Sequence, residues 1–291
     1  MTTEELKINL KYKLKEYYKS VIATDDYIYV EGTIPIMLVA HMDTVYKEPP
    51  TNLYLDKKQN VIYSETGLGA DDRAGIIAIT IMLEKGYKPY ILFCDEEEVG
   101  GLGATKAAKE LPIPNVNVIV ELDRAGSNDY VTYRCDNNEL DKWVEKFGFV
   151  RAEGTFSDIS FLCPQWGIAG VNLSIGYYNQ HSKNEFLNLT EFFDIIQRVE
   201  LILQSPPVEQ LEYITASYKQ LDGYETYGYT GGYDDAYGYD SILIELPVEE
   251  LEELHPEINW NDLINKYGLE IEYIAKQGAI NALLDLMKPL K

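Results

Sequence analysis

Of the three histidines in this 291-residue chain, His41 and His181 stand just past apolar runs with carboxylates close by, and His255 lies apart near the C-terminus. Imidazole beside carboxylate suggests either a divalent-metal site or a hydrogen-bonded core histidine. The first motif, LVAHMDTV (38–45), delivers His41 at the end of a strand-like run. Asp43 points to the same side, because side chains on a strand alternate with period two, and its carboxylate can fix the imidazole tautomer. GLGADDRAG (67–75) sets Asp71 and Asp72 before a helix, where the helix dipole favours acids and a simple N-cap pair would also fit. YILFCDEEEVGGLGA (90–104) ends an apolar strand in Asp95, Glu96, Glu97 and Glu98. Such a concentration of charge is costly unless a cation or solvent receives it. VNVIVELDRAG (116–126) and NLSIGYYNQHSKNEF (172–186) place Asp123 and His181 in the same way, just past a strand.

Taken together, these residues form a series of His, Asp, Glu-Glu, Asp and His at successive strand C-termini. An α/β sheet assembles its sites along one crevice at that edge. Two histidines and three carboxylates, one of them bridging, could hold two divalent ions about 3.5–4 Å apart. Zinc lowers the pKa of a bound water towards about 7, and a neighbouring carboxylate that is not a ligand can then carry the proton to a leaving amine. Glu97, adjacent to a ligand, suits that role.

The elements that must position these residues can be read from the apolar runs. IPIMLVA (34–40), YILFC (90–94), VNVIVEL (116–122) and VNLSI (171–175) read as buried central strands. Helices are expected over 74–86, 103–111, 138–148 and 190–204, the last with Thr190 as N-cap and the first and third closing at Gly86 and Gly148. This alternation predicts a layered α/β domain with a largely parallel sheet over 1–207. Residues 208–240 contain the Tyr/Gly/Asp-rich run DGYETYGYTGGYDDAYGYD, read as a linker or an aromatic contact loop, and 241–291 read as a small helical appendage.

The formal charge of −23 argues against a nucleic-acid backbone or an anionic membrane as partner. No apolar run approaches the roughly 20 residues of a membrane-spanning helix, and the N-terminus lacks the apolar core of a secretory signal. Cys94, Cys135 and Cys163 are widely spaced without a CxxC pair, as expected of reduced thiols in a cytoplasmic protein.

HMDTV, GADDRAG, EEVGGLGA and HSKNE resemble, in order and spacing, the motifs of the co-catalytic zinc exopeptidases. That superfamily includes bacterial leucyl aminopeptidase, peptidase T and the carboxypeptidase G-like enzymes. The resemblance runs from about Met37 to Glu200. It implies a three-layer α/β/α sandwich with a mostly parallel mixed central sheet, and two Zn2+ ions that Co2+ or Mn2+ could replace. His41 and Asp123 would hold one ion, Glu98 and His181 the other, and Asp71 would bridge them, with Glu97 as general base and Asp43 behind His41. Anchoring the acidic triplet on Val99-Gly100 gives this assignment and leaves Glu96 spare; a slip of one residue would make Glu96 the base and Glu97 the ligand. The resemblance also implies a cis peptide after Asp71.

GTFSDIS (154–160) resembles a Thr/Ser-Asp motif of the relatives, so Asp158 is a candidate for substrate binding, with helix capping by Ser157 and Asp158 as the alternative. Tyr177 or Tyr178 could donate to an oxyanion, and Glu185 could brace His181 or bind a free amino terminus. His41 and Asp71 are 30 residues apart, and Asp123 and His181 58 apart, too close for the inserted domain of many relatives. This favours an aminopeptidase acting on peptides over a carboxypeptidase, or a deacylase acting on acyl-amino acids. The remaining alternatives are a catalytically inactive scaffold and an acidic nucleic-acid mimic. The helical tail would serve self-association or partner docking.

Overall fold

The apolar runs of the sequence become the middle of one sheet. The computed structural model describes residues 1–216; most of the expected linker and the whole helical appendage lie outside the described residues. The chain opens with α1 (Thr3–Tyr17), capped by a reciprocal Thr2–Glu5 box. It continues through β1 (Ile22–Ala23), β2 (Tyr27–Val30), β3 (Ile34–His41), β4 (Tyr54–Asp56) and β5 (Val61–Tyr63) to α2 (Ala70–Glu84). Next come β6 (Pro89–Cys94), α3 (Leu102–Glu110), β7 (Val118–Arg124), β8 (Asp129–Val131), α4 (Asn138–Glu145) and β9 (Val150–Arg151). The last are α5 (Ile159–Trp166), β10 (Gly170–Ser174), β11 (Tyr177–Tyr178), β12 (Phe186–Asn188) and α6 (Leu189–Gln204).

The main sheet has eight strands in the order β1-β2-β6-β3-β7-β10-β8-β9. Its four central strands run parallel, and β2 and β8 pair antiparallel on either side of them. Side chains alternate across it. Ile36, Leu38 and Ala40 pack on the face covered by α1, α2, α4 and α6, while Met37 and Val39 pack against α3 and α5. The result is the three-layer sandwich expected from the sequence.

Four short strands form a second, antiparallel sheet in the order β11-β12-β5-β4. The sequence pattern gives no sign of it, because runs of two or three residues carry no measurable period. This sheet matters for the site. It pairs Phe186 with Tyr63 and Leu187 with Ile62, which brings the segment after His181 beside the segment that leads to Asp71.

Two helix starts differ from expectation. Helical hydrogen bonding begins at Ala70, yet Asp71 and Asp72 have non-helical backbone angles, so the regular part of α2 follows them. α6 is capped by Asn188, whose side chain accepts from the Glu191 N–H, and Thr190 lies inside the helix. Asn188 ends β12 in extended geometry, which is the conformation an N-cap requires. At the other end of the described chain, residues 208–216 run back along the domain, with Leu211 N–H on the Asn117 carbonyl and Tyr213 N–H on the Gly167 carbonyl.

Gly75 sets how closely α2 approaches β7. A Cβ at this position would lie 2.4 Å from the Leu122 carbonyl oxygen and 2.5 Å from an Asp72 carboxylate oxygen. Neither neighbour can yield easily, since one is sheet backbone and the other belongs to a carboxylate bonded to the His41 N–H. Gly75→Ala should therefore cost about 1–3 kcal/mol through overpacking. Urea denaturation of the metal-free protein measures this, and an unchanged midpoint would show that the helix can move off the strand freely.

Candidate metal centre

The register of the sheet aligns the strand ends that carry the chemistry. β3 ends at His41, which pairs with Cys94 at the end of β6, and Val39 pairs with Glu121 in β7. From these ends the acidic loop 95–98 and Asp123 turn into one cluster. His41 is fully buried. Its Nε2 lies 3.0 Å from Asp71 Oδ1 and 3.5 Å from Asp123 Oδ1. The other Asp71 oxygen lies 3.1 Å from His181 Nε2, which is also 3.0 Å from Glu98 Oε2. Asp71 thus presents one oxygen to each histidine.

Donor atoms of His41, Asp71 and Glu98 lie within 4.8 Å of one another. Donors around a tetrahedral zinc, with bonds of roughly 2.0 Å, stand about 3.3 Å apart. The spacing and the mixture of imidazole and carboxylate therefore fit zinc. Electrostatics agrees. Burial alone would lower the His41 pKa, yet Asp123, Asp43 and Asp71 hold it well above its ordinary value. Hydrogen bonds to Asp71 and Glu98 raise His181 to about 10. Burial, reinforced by the Asp71 charge, pushes Asp123 up to about 6. The cluster is short of positive charge, and a divalent cation held by these residues would supply it and leave the imidazoles neutral.

Glu97 is buried next to this cluster. Burial and the charges of Asp123, Asp158 and Glu98 push its carboxyl up to about 9. Glu96 is exposed with φ of 58°, and this left-handed turn sends the next two side chains inward. The geometry puts Glu98 against His181 and leaves Glu96 outside.

Backbone and side-chain donors hold the cluster. The Asp43 carboxylate lies 3.2 Å from His41 Nδ1 and accepts the N–H groups of Glu97 and Glu98, both at 3.1 Å. One residue therefore ties the histidine to the acidic loop. Asp72 accepts the N–H groups of His41 and Gly75, and the Asp71–Asp72 peptide is cis. Asp123 is held from both sides: Tyr177 donates to Oδ1 at 3.1 Å and Ser157 to Oδ2 at 3.0 Å.

Three expected substrate contacts sit elsewhere. Glu185 is wholly buried, and it accepts the N–H groups of Leu68, Gly69 and Asp71. It braces the turn that carries Asp71 rather than His181 or a substrate amine. Asp158 is also fully buried and makes no side-chain bond to the start of α5, so its side chain does not cap the helix. Its own N–H donates to Glu121, and burial pushes its carboxyl up to about 7. The Tyr178 hydroxyl donates to Glu191 while its ring stacks on Phe186, so Tyr177 is the tyrosine that reaches the cluster.

Sequence reasoning passed over Asn172, whose side chain accepts from the Asp123 N–H and donates to the Asp123 carbonyl. An amide inside the apolar run VNLSI was the available signal. Tyr46, bonded to the Ser182 carbonyl, gave none.

Residues 30–148 match the family model described as Peptidase family M28. The matched segment contains His41, Asp43, Asp71, Glu97, Glu98 and Asp123, and His181 lies beyond it. Among solved structures, aminopeptidase PepT from Bacillus cereus ATCC 10987 aligns with a TM-score of 0.53 and 17% identity, over 70% of this chain and 93% of that one. The aminopeptidase APDkam598 from the archaeon Desulfurococcus kamchatkensis aligns with a TM-score of 0.50 and 13% identity, over 70% of this chain and 91% of that one. At these identities the likeness establishes the fold. No curated protein matches the chain significantly. The segment that is similar to Peptidase family M28 spans the strand ends from which most of the cluster is built.

Proposed function

We propose that this chain is a two-zinc aminopeptidase, with His41 and Asp123 on one ion, Glu98 and His181 on the other, and Asp71 shared. The observation that carries this reading is the pair of contacts from Asp71, 3.0 Å to one histidine and 3.1 Å to the other. Zinc bound there supplies Lewis-acid polarisation of the scissile carbonyl and a water of lowered pKa. Co2+ or Mn2+ would find the same nitrogen and oxygen donors.

Glu97 is the group that moves the proton. Its burial raises its affinity for a proton, as a base needs if it is to take one from water and return it to the leaving amine. Asp43 keeps His41 in one tautomer and holds the Glu97 backbone in place. Tyr177 and Ser157 orient Asp123. Removal of an N-terminal residue is favoured over carboxypeptidase action because the short separations His41–Asp71 and Asp123–His181 leave no inserted domain.

A cytoplasmic location is supported by three buried, unbridged cysteines. No helix of the described residues is long and apolar enough to cross a membrane.

Metal analysis of the wild type and of Glu97→Gln, each also assayed on a panel of aminoacyl amides, tests the reading. Both should hold about two zincs per chain, with hydrolysis in Glu97→Gln reduced on the order of 10²- to 10⁴-fold. A wild type that binds no metal would overturn it, and cleavage of acyl-amino acids but not amides would make the enzyme a deacylase. Metal removal is a second test. At zinc a hundredfold above its dissociation constant, each site adds about 2.7 kcal/mol of stability. The melting temperature should therefore fall on chelation and recover with zinc, and His181→Ala should recover only part of the gain.

A further inference from the structure

The two halves of the cluster are held very differently. The His41 side chain is 1% exposed and braced by Asp43, whereas the His181 side chain is 50% exposed. His181 sits in an open loop, 179–184, where Asn179 has φ of 54° and His181 itself φ of 60°. Left-handed conformations cost a non-glycine residue of order 1–2 kcal/mol, so this loop does not hold its shape by backbone preference. Its internal bonds, Ser182 Oγ to the Asn179 carbonyl and Asn184 N–H to Ser182 Oγ, close it on itself, and the Ser182 carbonyl accepts the N–H of buried Glu185 at 3.2 Å.

Tyr46 adds a second, long-range hold on the same carbonyl. Its hydroxyl donates to the Ser182 carbonyl at 2.6 Å, one residue from the ligand. Its ring lies over Gly67, where a Cβ would come within 2.1 Å of a ring carbon. Gly67 opens the turn whose Leu68, Gly69 and Asp71 amides are gathered by Glu185. The backbone of Tyr46 is fixed in turn by Thr44, whose Oγ1 accepts its N–H at 3.2 Å. One side chain therefore joins the segment after His41, the turn before Asp71 and the loop of His181. Burial and the nearby Glu185, Asp71 and Glu98 carboxylates raise the phenol pKa, so the hydroxyl remains a donor.

We propose that Tyr46 is a positioning residue that holds His181 at the distance from Asp71 and Glu98 at which the second ion binds. This rests on the two-ion reading above. The test is chelator-competition titration of zinc into the full chain, for the wild type, Tyr46→Phe and Tyr27→Phe, combined with amide hydrogen exchange of residues 179–184 in the metal-free proteins. Tyr27 is the control, since its hydroxyl bonds Glu110. Tyr46→Phe keeps the ring over Gly67 and removes the hydroxyl from the Ser182 carbonyl and from the Glu185 carboxylate beside it. It should weaken the second zinc roughly fivefold to tenfold, leave the first unchanged, and speed exchange in the loop; Tyr27→Phe should match the wild type. Unchanged affinity for both ions, or an equal loss at both, would overturn the proposal. A wild type that takes up fewer than two zincs would overturn the two-ion reading instead, and loop exchange in Tyr46→Phe would still decide whether the hydroxyl anchors the loop.

Discussion

Asp71 is a buried carboxylate whose two oxygens meet different imidazoles, and much of the surrounding structure serves to keep it there. Removing a carboxylate from water costs several kcal/mol unless donors or cations replace the lost solvation. Here hydrogen bonds from His181 and His41 outweigh burial and hold the Asp71 pKa below the usual range. Its own N–H is taken by Glu185, a second buried acid, which also gathers the two amides before it. The glycines of GLGADDRAG make this possible. Gly67 and Gly69 adopt positive φ, turning successive N–H groups towards one carboxylate.

That constraint also explains why so many acids lie together. Asp43, Asp72 and Glu185 are spent on backbone N–H groups, which replace water without adding charge. Asp71, Glu98 and Asp123 are the carboxylates that face the Nε2 atoms of the histidines, while Asp43 also meets His41 from the Nδ1 side. The inner half of the cluster is sealed by the sheet, while the outer half opens on a groove lined by Thr3, Glu4, Asp43, Val45, Glu96 and Glu98. α1 contributes one wall of this groove, and the Lys7–Asp95 ion pair at 2.5 Å docks it there.

The core of the fold was legible because it rests on local pattern. Unbroken apolar runs marked β3, β6, β7 and β10, and the first three lead into His41, the acidic loop and Asp123 at the C-terminal edge, whereas His181 stands beyond β10 in the β11–β12 loop. The motif order then placed His41, Asp71, Glu98, Asp123 and His181 near one another, and the structure brings all five together. Within the acidic triplet, a left-handed Glu96 leaves that side chain exposed while Glu98 meets His181.

What stayed hidden depends on contacts between distant parts of the chain. Tyr177 and Tyr178 are adjacent on a two-residue strand, so one must face the cluster and the other must not, and the phase is set by pairing with Leu187 and Phe186. Glu185 stands four residues after His181, close enough along the chain to pair with it, yet its partners are amides more than a hundred residues earlier. Those partners come within reach only through the β5–β12 pairing, whose strands are too short to leave a sequence signature. The same small sheet brings the His181 loop under Tyr46. In this protein the large sheet brings His41, the acidic loop and Asp123 together, and the small sheet brings up Asp71 and His181 and decides which of the remaining acids and tyrosines support them.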